Sequence, residues 1–445
     1  MIPLTCDESP VLSNRWKRHL LGLAVVCACV VFVIRGPYRA VMNHGLNDLL
    51  SPYIQSSAFL HGQDPYSCQS LFSYWPDQGL RFRPDSRQFI DGSILVRHGI
   101  PTAYPITSLF LLASLTWMPW NVFQLLILAA TLLLFGAAVL ALAAMTNMSR
   151  VQRTGFVVFA LVFAPLHTGI GTCNLAVLAV EAGILALWAE KIRKPFVCGV
   201  LIAICVGVKP PLGLCFLLYY LVKRSWRIST VALASLAIMG IVPILWLNLH
   251  HAAWISNYTA DTRALLENGT LGDFTEKNPL RFGLVNLQVA LYPFVHERYA
   301  TNLLVGVICG SLLVVWLVLA LKIKPRDEFA CLSALAVLTL LCVYHRFYDA
   351  SLLIIPVSWL FAKARSDRVA ALGLAVSAAF LVPGGTLLQN LQLKGQLLTG
   401  IEKSNLGQSF VMGHAVWCSV ILVSLLLYRM AVPSPTASPY EPLRP

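Results

Sequence analysis

The sequence predicts an all-α membrane protein that crosses a bilayer many times. Of its 445 residues, 57% are hydrophobic and only 12% are charged, about half the charged share of a typical soluble domain. The mean hydropathy is +0.71, and long apolar runs recur through most of the chain. Together with the basic loops described below, these observations predict a polytopic bundle of about 12 spans with a long first external loop.

The first apolar run, LLGLAVVCACVVFVI at 20–34, follows the basic segment RWKRH. Such a pair is typical of a signal peptide, but RGPYRAVMNHG follows the run in place of an A-x-A-like cleavage site. We therefore interpret the run as a retained first span, preceded by a cytoplasmic N-terminus at 1–19.

The remaining apolar runs define the other spans in order. We place the full set near 20–38, 121–145, 154–170, 174–190, 196–209, 211–222, 228–248, 301–322, 328–344, 350–363, 368–388 and 411–430. An even number of spans puts both termini in the cytoplasm, with one transmembrane domain over 20–431. Several spans are shorter than the roughly 20 residues that cross unaided, so we expect them to be tilted, half-embedded or packed within protein.

Basic residues account for the net charge of +13 and cluster in short loops between the apolar runs. Examples are Arg150, Lys191, Lys223 and Lys363. This distribution is the positive-inside pattern of cytoplasmic connections. The charge therefore orients the protein in a membrane, and no nucleic-acid partner is needed to explain it.

Three segments lie outside this span pattern. The stretches 39–103 and 249–300 are predicted external loops, and the proline-rich end at 432–445 is typical of a disordered cytoplasmic tail. The segment YPITSLFLLASLTWMP at 104–119 is interpreted as a re-entrant or interfacial helix. The alternative, a full span at 104–119, would reverse the orientation of every later segment.

Four polar clusters fall on the same outer face in this threading: 47–66, 165–174, 207–213 and 344–349. Polar groups in a membrane are costly unless paired or solvated, so their gathering predicts a shared cavity. The alternative is that polar residues simply collect at span ends. The 12 cysteines show no CxxC pair and no zinc-ligand spacing, so we predict no metal site and no disulfide framework. The sequence also contains no glycine-rich phosphate loop that would bind a nucleotide, and we predict no cofactor.

These clusters carry residues suited to transfer of a sugar from a lipid phosphate. The cations Lys209, His345 and Arg346 can hold a phosphate through charge-assisted hydrogen bonds, and Asp48 can take a proton from a hydroxyl group. The aromatic side chains predicted to contact substrate are Tyr53, Tyr66 and Tyr104.

At this point several motifs resemble glycosyltransferase family 87. NDLLSPYIQSSAFLHGQDPY followed by AYPITSLFLLASLTWMP resembles its acidic first loop, small-residue helix, G-x-D-P-Y turn and Tyr-Pro-Pro helix. GIGTCN resembles its glycine–polar–Asn turn, VGVKPPLGLCFLLYYLVKRSWR its Lys-x-x-Pro helix pair, and YHRFYDASLLIIP its late His/Tyr–Asp segment. The similarity covers roughly 20–365.

The resemblance implies the architecture of the C-type glycosyltransferases, which work on the external face of a membrane with polyprenyl-phosphate sugars. It implies a polyprenyl-phosphate mannose or arabinose donor, a glycolipid or glycan acceptor and a plasma-membrane location. It also implies that Asp48 is the general base and that His345 lies near the donor phosphate. Direct in-line attack by the acceptor would then invert the configuration at the anomeric carbon. From the motifs that carry the resemblance, we add Asn174 and Asp349 to the predicted substrate contacts.

Two departures from the family pattern bear on the acceptor. The Tyr-Pro-Pro motif reads Tyr104-Pro105-Ile106, and 67–103 forms a long insertion that contains RFRPDSRQFIDG.

Each site residue also has a structural interpretation. Asp48 is suited to cap a helix, and Asp64 in GQDPY is predicted to bond local backbone in a turn. The ammonium of Lys209 is also suited to bond carbonyls freed by the prolines that follow it, and Arg346 and Asp349 are able to pair with each other.

Glu181, inside the run NLAVLAVEAGILALW, supports a different function. An acid within a span is a candidate functional residue, and it favours a transporter or flippase for a lipid-linked sugar. A transporter usually shows repeat symmetry and polar breaks near the midplane, whereas most polar motifs here lie on one face. A third interpretation, a structural subunit of an envelope-assembly complex, requires no site at all.

Overall fold

The structure is a computed structural model that describes residues 10–42, 48–67, 70, 73–74, 104–267, 269–322, 327–396 and 399–432. The described residues are helical and contain no strand, which confirms the predicted all-α membrane protein. Most of the insertion at 67–103 and of the tail at 432–445 lies outside the described residues.

The chain begins with α1 (Pro10–Val33), which passes through a π-helical turn (Ile34–Tyr38) into a last helical turn (Arg39–Met42). The next helices are α2 (Leu50–Leu60), α3 (Ile106–Ala113), α4 (Trp120–Met145), α5 (Arg150–Val162), α6 (Ala164–Gly171), α7 (Leu175–Lys191), α8 (Pro195–Val208), α9 (Pro210–Val222) and α10 (Trp226–Leu249). The second half contains α11 (Trp254–Leu265), α12 (Leu287–Val295), α13 (Arg298–Lys322), α14 (Glu328–Cys342), α15 (Ile354–Lys363), α16 (Arg368–Ser377), α17 (Gly384–Leu393), α18 (Thr399–Lys403) and α19 (His414–Ala431). Shorter turns lie at Arg281–Gly283, Phe347–Leu353, Ala378–Leu381 and Gly407–Met412.

Six helical segments of the described chain are long and apolar enough to cross a membrane alone, and a bent pair makes a seventh. The six are His19–Met42, Trp120–Met145, Trp226–Leu249, Arg298–Leu321, Arg368–Leu393 and His414–Ala431. The bent pair is α5 and α6, which meet at 46°. The other predicted spans fall on shorter helices, of which α8, α9 and α14 are strongly apolar. These shorter helices pack among the longer ones, as the lengths of their apolar runs led us to expect.

One end of the bundle, which we call the basic end, contains ion pairs between helix termini. Lys223 lies 3.0 Å from Glu190 and 2.7 Å from Glu328, and this joins the ends of α7 and α9 to the start of α14. Arg429 near the end of α19 lies 2.6 Å from Asp367, which caps α16. From this basic end, α7, α9 and α14 extend to an opposite end, the polar end, where the candidate site lies.

A helix break at the polar end depends on α3. Two prolines interrupt the chain between α8 and α9, and the main-chain carbonyls before them lose helical donors because proline has no N–H. The hydroxyl of Thr107 donates to Gly207 O at 2.6 Å, and that of Ser108 lies 3.0 Å from Gly207 O and 2.9 Å from Val208 O. With only 8 residues, α3 is about 12 Å long, which suits the predicted re-entrant or interfacial helix and is too short for a span.

We expect the double substitution Thr107→Val and Ser108→Ala to destabilise the protein, because it leaves buried carbonyls without a donor. The expected loss is about 1–3 kcal/mol of unfolding free energy per unsatisfied carbonyl, measured by denaturant titration in bicelles. Thr259→Val is the matched control, since the hydroxyl of Thr259 bonds only Ile255 O within its own exposed helix. Equal stability of the double variant and the control would show that α3 is not needed to hold the break.

Candidate active site

Lys209 lies at the break between α8 and α9 and has an extended backbone, with φ −146° and ψ 87°. Its ammonium donates to Asp349 Oδ1 at 2.5 Å and lies 4.9 Å from the centre of the Tyr348 ring. The freed carbonyls of the break are bonded by α3, so the lysine is available for this longer-range pair. The break therefore presents a cation to a segment 140 residues away in sequence.

The carboxylate of Asp349 joins three groups in a fully buried position. Besides Lys209, its Oδ2 accepts the backbone N–H of Arg346 at 2.9 Å and lies 3.2 Å from His345 Nδ1. Since a carboxylate oxygen only accepts, Nδ1 carries the proton in that bond. Burial alone would raise the pKa of Asp349, but the charge of Lys209 and the bond from His345 lower it to about 2. Asp349 is therefore ionised at neutral pH.

The main chain holds the segment 344–349 in place. Leu284 and Arg346 form an antiparallel bridge, and Val285 N donates to His345 O at 3.0 Å. The 3-10 turn that follows, Phe347–Leu353, leads directly into α15. His345 itself is fully buried, and its Nε2 has no hydrogen-bond partner among the described residues.

Asp48 is held on the other side of the polar end. Its backbone N–H donates to Thr172 O at 2.8 Å, and its Oδ2 accepts from Asn174 Nδ2 at 2.8 Å. The Asn174 oxygen accepts from Ala176 N at 2.9 Å and so caps α7. Asp48 does not cap its own helix: the N-cap of α2 is Leu49, with no side-chain cap. The second oxygen of Asp48 has no partner among the described residues, and the residue is partly exposed.

Arg346 lies near both carboxylates without a side-chain ion pair to either within 4.0 Å. Burial alone would lower the pKa of its guanidinium, but the neighbouring Tyr344, Tyr348 and Asp48 raise it. The phenol of Tyr104 is influenced by the charges of Asp48 and Asp349, and burial raises its pKa. Asp48, Tyr104 and Arg346 therefore belong to one electrostatic cluster.

Two predicted aromatic contacts lie in packed surroundings. Tyr53 donates to Met118 O at 3.0 Å, and its ring packs on Trp120. Tyr66 is buried and donates to Tyr104 O at 3.1 Å. Their role as flat surfaces for sugar binding stays a prediction, because the contacts observed are with other residues of the chain.

Asp64 adopts the predicted turn. Its Oδ1 accepts from Tyr66 N at 2.9 Å, which confirms the local backbone bond expected from GQDPY. Its Oδ2 also accepts from Asn257 Nδ2 at 2.6 Å, so the carboxylate is engaged on both sides and ties the first external segment to α11.

The four polar clusters meet at this end. Asp48 joins the first cluster to the second through Asn174, and Lys209 joins the third to the fourth through Asp349. A Cβ on Gly169 of the second cluster would lie 3.4 Å from that of Tyr348 in the fourth. The described residues contain no group of three or more His, Cys, Asp or Glu that could hold a metal ion.

The comparison with known families concerns the chain's sequence. The model of glycosyltransferase family 87 matches residues 102–343, more than half of the 445-residue chain. The chain belongs to glycosyltransferase family 87. It is therefore a membrane glycosyltransferase, as the motifs predicted. No curated protein and no solved structure matches the chain.

The family 87 match covers only part of the cluster. It includes Tyr104, Asn174 and Lys209 and ends just before the segment 344–349. Asp48 also lies outside it, so the role of Asp48 depends on the resemblance of its motif and on its position.

Some residues at or beside the candidate site have no distinctive sequence signal. Thr107 and Ser108 bond the helix break, and Tyr344 and Tyr348 surround Arg346, but tyrosines at a membrane boundary are as typical of an interfacial belt. The adjacent hydroxyls at the start of α3 are the one usable signal for the first pair, because two hydroxyls there can bond carbonyls of a neighbouring helix.

The pair formed by Lys209 and Asp349 is expected to be energetically coupled. Removing one partner of a buried ion pair costs about 3–5 kcal/mol, because the other charge stays buried and unpaired. We expect Lys209→Met and Asp349→Asn to be strongly destabilising alone and much less than additive together, in a double-mutant cycle of unfolding free energies. Because the pKa of Asp349 is lowered, the coupling should persist at pH 5 and weaken only as the pH falls from about 4 towards 2.

The exposed partner of Lys223 provides the control for this cycle. Glu328→Gln removes a pair whose acid is 56% exposed, for which about 0–1 kcal/mol is typical. Strict additivity of the two substitutions at Lys209 and Asp349 would contradict the proposed coupling.

Proposed function

We propose that this family 87 protein transfers a mannose or arabinose from a polyprenyl-phosphate donor to a lipid or glycan acceptor. The donor is a membrane lipid, so no nucleotide sugar takes part. The transfer inverts the configuration at the anomeric carbon, with Asp48 as general base. The observation that carries the proposal is the open oxygen of Asp48 in the same electrostatic cluster as Arg346.

Asp48 is suited to the acceptor side of the reaction. A sugar hydroxyl is a poor nucleophile at neutral pH, and a positioned carboxylate lowers the barrier by taking its proton. Asn174 holds one oxygen of Asp48, so the other oxygen is left to accept that proton. The acceptor oxygen then bonds to the anomeric carbon as the bond from that carbon to the phosphate oxygen breaks.

Arg346 and Lys209 are suited to the donor side. The departing polyprenyl phosphate gains negative charge, and preorganised cations stabilise such charge in the transition state. Arg346 has guanidinium donors that no described carboxylate occupies, and the ammonium of Lys209 has three N–H groups, of which Asp349 takes one. His345 is fully buried, so we assign it to positioning Asp349, which in turn holds the main chain at Arg346.

We place the polar end on the external face and both termini in the cytoplasm. The basic end contains the loops with most lysines and arginines, which the positive-inside rule assigns to the cytoplasm. Leu60 is 40% exposed on the external side of this arrangement, and Arg193 is exposed on the other. With the native Cys68 of the predicted external loop replaced by Ser, an impermeant thiol reagent in whole cells should label Leu60→Cys and leave Arg193→Cys unlabelled. The opposite labelling would place the site in the cytoplasm.

One observation favours a second function. Glu181 in α7 is buried, and neither of its carboxylate oxygens has a partner among the described residues. A transporter or flippase of lipid-linked sugars would use such an acid for proton coupling. In that case, the wild-type protein in proteoliposomes would move the lipid without transferring sugar to an acceptor, and Glu181→Gln would block the movement.

Asp48→Asn should keep donor binding near the wild-type value and lose roughly 10²–10⁴-fold in turnover, since the amide cannot accept the proton. The measurement is transfer of radiolabelled sugar from synthetic polyprenyl-phosphate mannose and polyprenyl-phosphate arabinose, with binding followed separately. Asp64→Asn is the matched control. The Asp64 carboxylate bonds a turn and α11, so this substitution should lower turnover far less.

Two results would contradict this assignment. The base role would fail if Asp48→Asn turned over normally while it bound donor. It would also fail if the variant lost folding or donor binding as completely as it lost turnover, since the carboxylate would then be structural.

A further inference from the structure

A second cationic feature lies at the polar end, at the lateral side of the bundle. A pocket of about 240 Å³ lies between the end of the first span and the segment 381–383. Its walls are Val31 and Ile34 on one side and the segment 381–383 on the other, and Arg35 and His167 also line it. None of these residues takes part in the site described above.

The pocket opens toward lipid. Ile34 is 55% exposed and Val382 is 52% exposed, and both belong to segments that are apolar and long enough to span a membrane. Exposed aliphatic side chains at that position contact hydrocarbon in a bilayer. The slot between them therefore fits an extended hydrocarbon chain.

Arg35 brings positive charge without a counterion to the polar part of the pocket, and Arg39 lies four residues further along the same helical segment. Arg35 and Arg39 are exposed, and neither side chain has a hydrogen bond or ion pair with a described residue. Arg35 and the buried His167 both line the pocket, so these two groups are close together. The pocket therefore lies beside cationic groups that no described carboxylate neutralises.

The backbone holds these arginines against α6. A Cβ on Gly171 would lie 2.6 Å from Arg35 O and 3.2 Å from Arg39 Cδ, and one on Gly36 would lie 3.3 Å from Ile170 Cγ2. This close packing coincides with the π turn Ile34–Tyr38, and single π turns within helices are frequent at functional sites.

The pocket adjoins the active site. The segment 381–383 leads into α17, which contains Thr386. Thr386 and Arg346 both lie beside Gly283: a Cβ added to Gly283 would be 3.8 Å from the Thr386 hydroxyl and 4.0 Å from the Arg346 guanidinium. The other face of α6 packs on Tyr348 through Gly169. A lipid phosphate in the pocket would therefore lie beside the proposed reaction centre, with α6 between them.

Resting on the proposed function, we propose that this pocket binds the product lipid, polyprenyl phosphate, after the sugar has left. The product is a phosphate monoester and carries more negative charge at neutral pH than the donor, a phosphodiester with one charge. Two guanidinium groups without a carboxylate partner match that extra charge, since each can bond phosphate oxygens in a bidentate manner. The apolar slot accepts the isoprenoid chain, and the lateral opening returns the lipid to the bilayer.

The test measures binding of a C50 polyprenyl phosphate to the full-length protein in phosphatidylcholine nanodiscs, together with inhibition of sugar transfer by the same lipid. The double substitution Arg35→Gln and Arg39→Gln should weaken binding at least about 10-fold, since a charged hydrogen bond contributes about 1.5–3 kcal/mol. It should raise the inhibitory concentration by a similar factor. Arg263→Gln, at an exposed external arginine without a described partner, should change neither value.

Ile34→Trp tests the slot without removing a charge, and it should also weaken binding. It keeps the proposal testable if the double arginine variant does not fold. Phosphatidylglycerol and inorganic phosphate, at equal concentration, should compete poorly with polyprenyl phosphate.

The proposal would be overturned if the folded double arginine variant bound polyprenyl phosphate as tightly as the wild type, or if phosphatidylglycerol competed equally well. It would also be overturned if Arg346→Gln lost binding while the double arginine variant lost none. These outcomes leave the proposed function standing as long as sugar transfer from the lipid donor is observed. Absence of both transfer and polyprenyl-phosphate binding in the wild-type protein would reject the two together.

Discussion

The ion pair between Lys209 and Asp349 is the contact on which the polar end depends. It joins a broken helix pair to a segment 140 residues later, and it does so where one partner is fully buried. A buried charge must be paired or neutralised, so each segment needs the other to be in place. The hydroxyls of α3 serve the same contact indirectly, because they bond the carbonyls that would otherwise compete for the lysine.

This ion pair also determines which charged groups at the site remain without an ion-pair partner. Lys209 and Asp349 largely cancel each other, which leaves Asp48 and Arg346 as opposite charges that are near but not in direct contact. Glycosyl transfer from a phosphate requires such a separation, since a proton moves to one group while negative charge develops at another. A direct ion pair between Asp48 and Arg346 would occupy both groups before substrate arrived.

Much of this arrangement follows from the sequence, and the remainder depends on contacts between distant segments. The apolar runs predicted the helices, the prolines after Lys209 predicted the break, and the polar clusters were expected to meet. The partner of Lys209 could not be predicted, because a local sequence pattern does not encode a contact across 140 residues. The same limit applies to Tyr53 and Tyr66: an aromatic residue near a span end looks alike whether it faces a cavity or packs against a helix.

The orientation of the Asp48 side chain is determined by Asn174 at the start of α7 and not by the helix that follows Asp48. The oxygen of the Asn174 amide accepts a backbone N–H of α7, so its NH₂ group must face the opposite way, toward Asp48. The start of α7 thus holds one carboxylate oxygen and leaves the other open. If Asp48 capped its own helix, that open oxygen would be engaged by backbone N–H groups. In the proposed role of general base, a carboxylate held in this way would stay available for a proton while remaining fixed in direction, which is what in-line displacement requires.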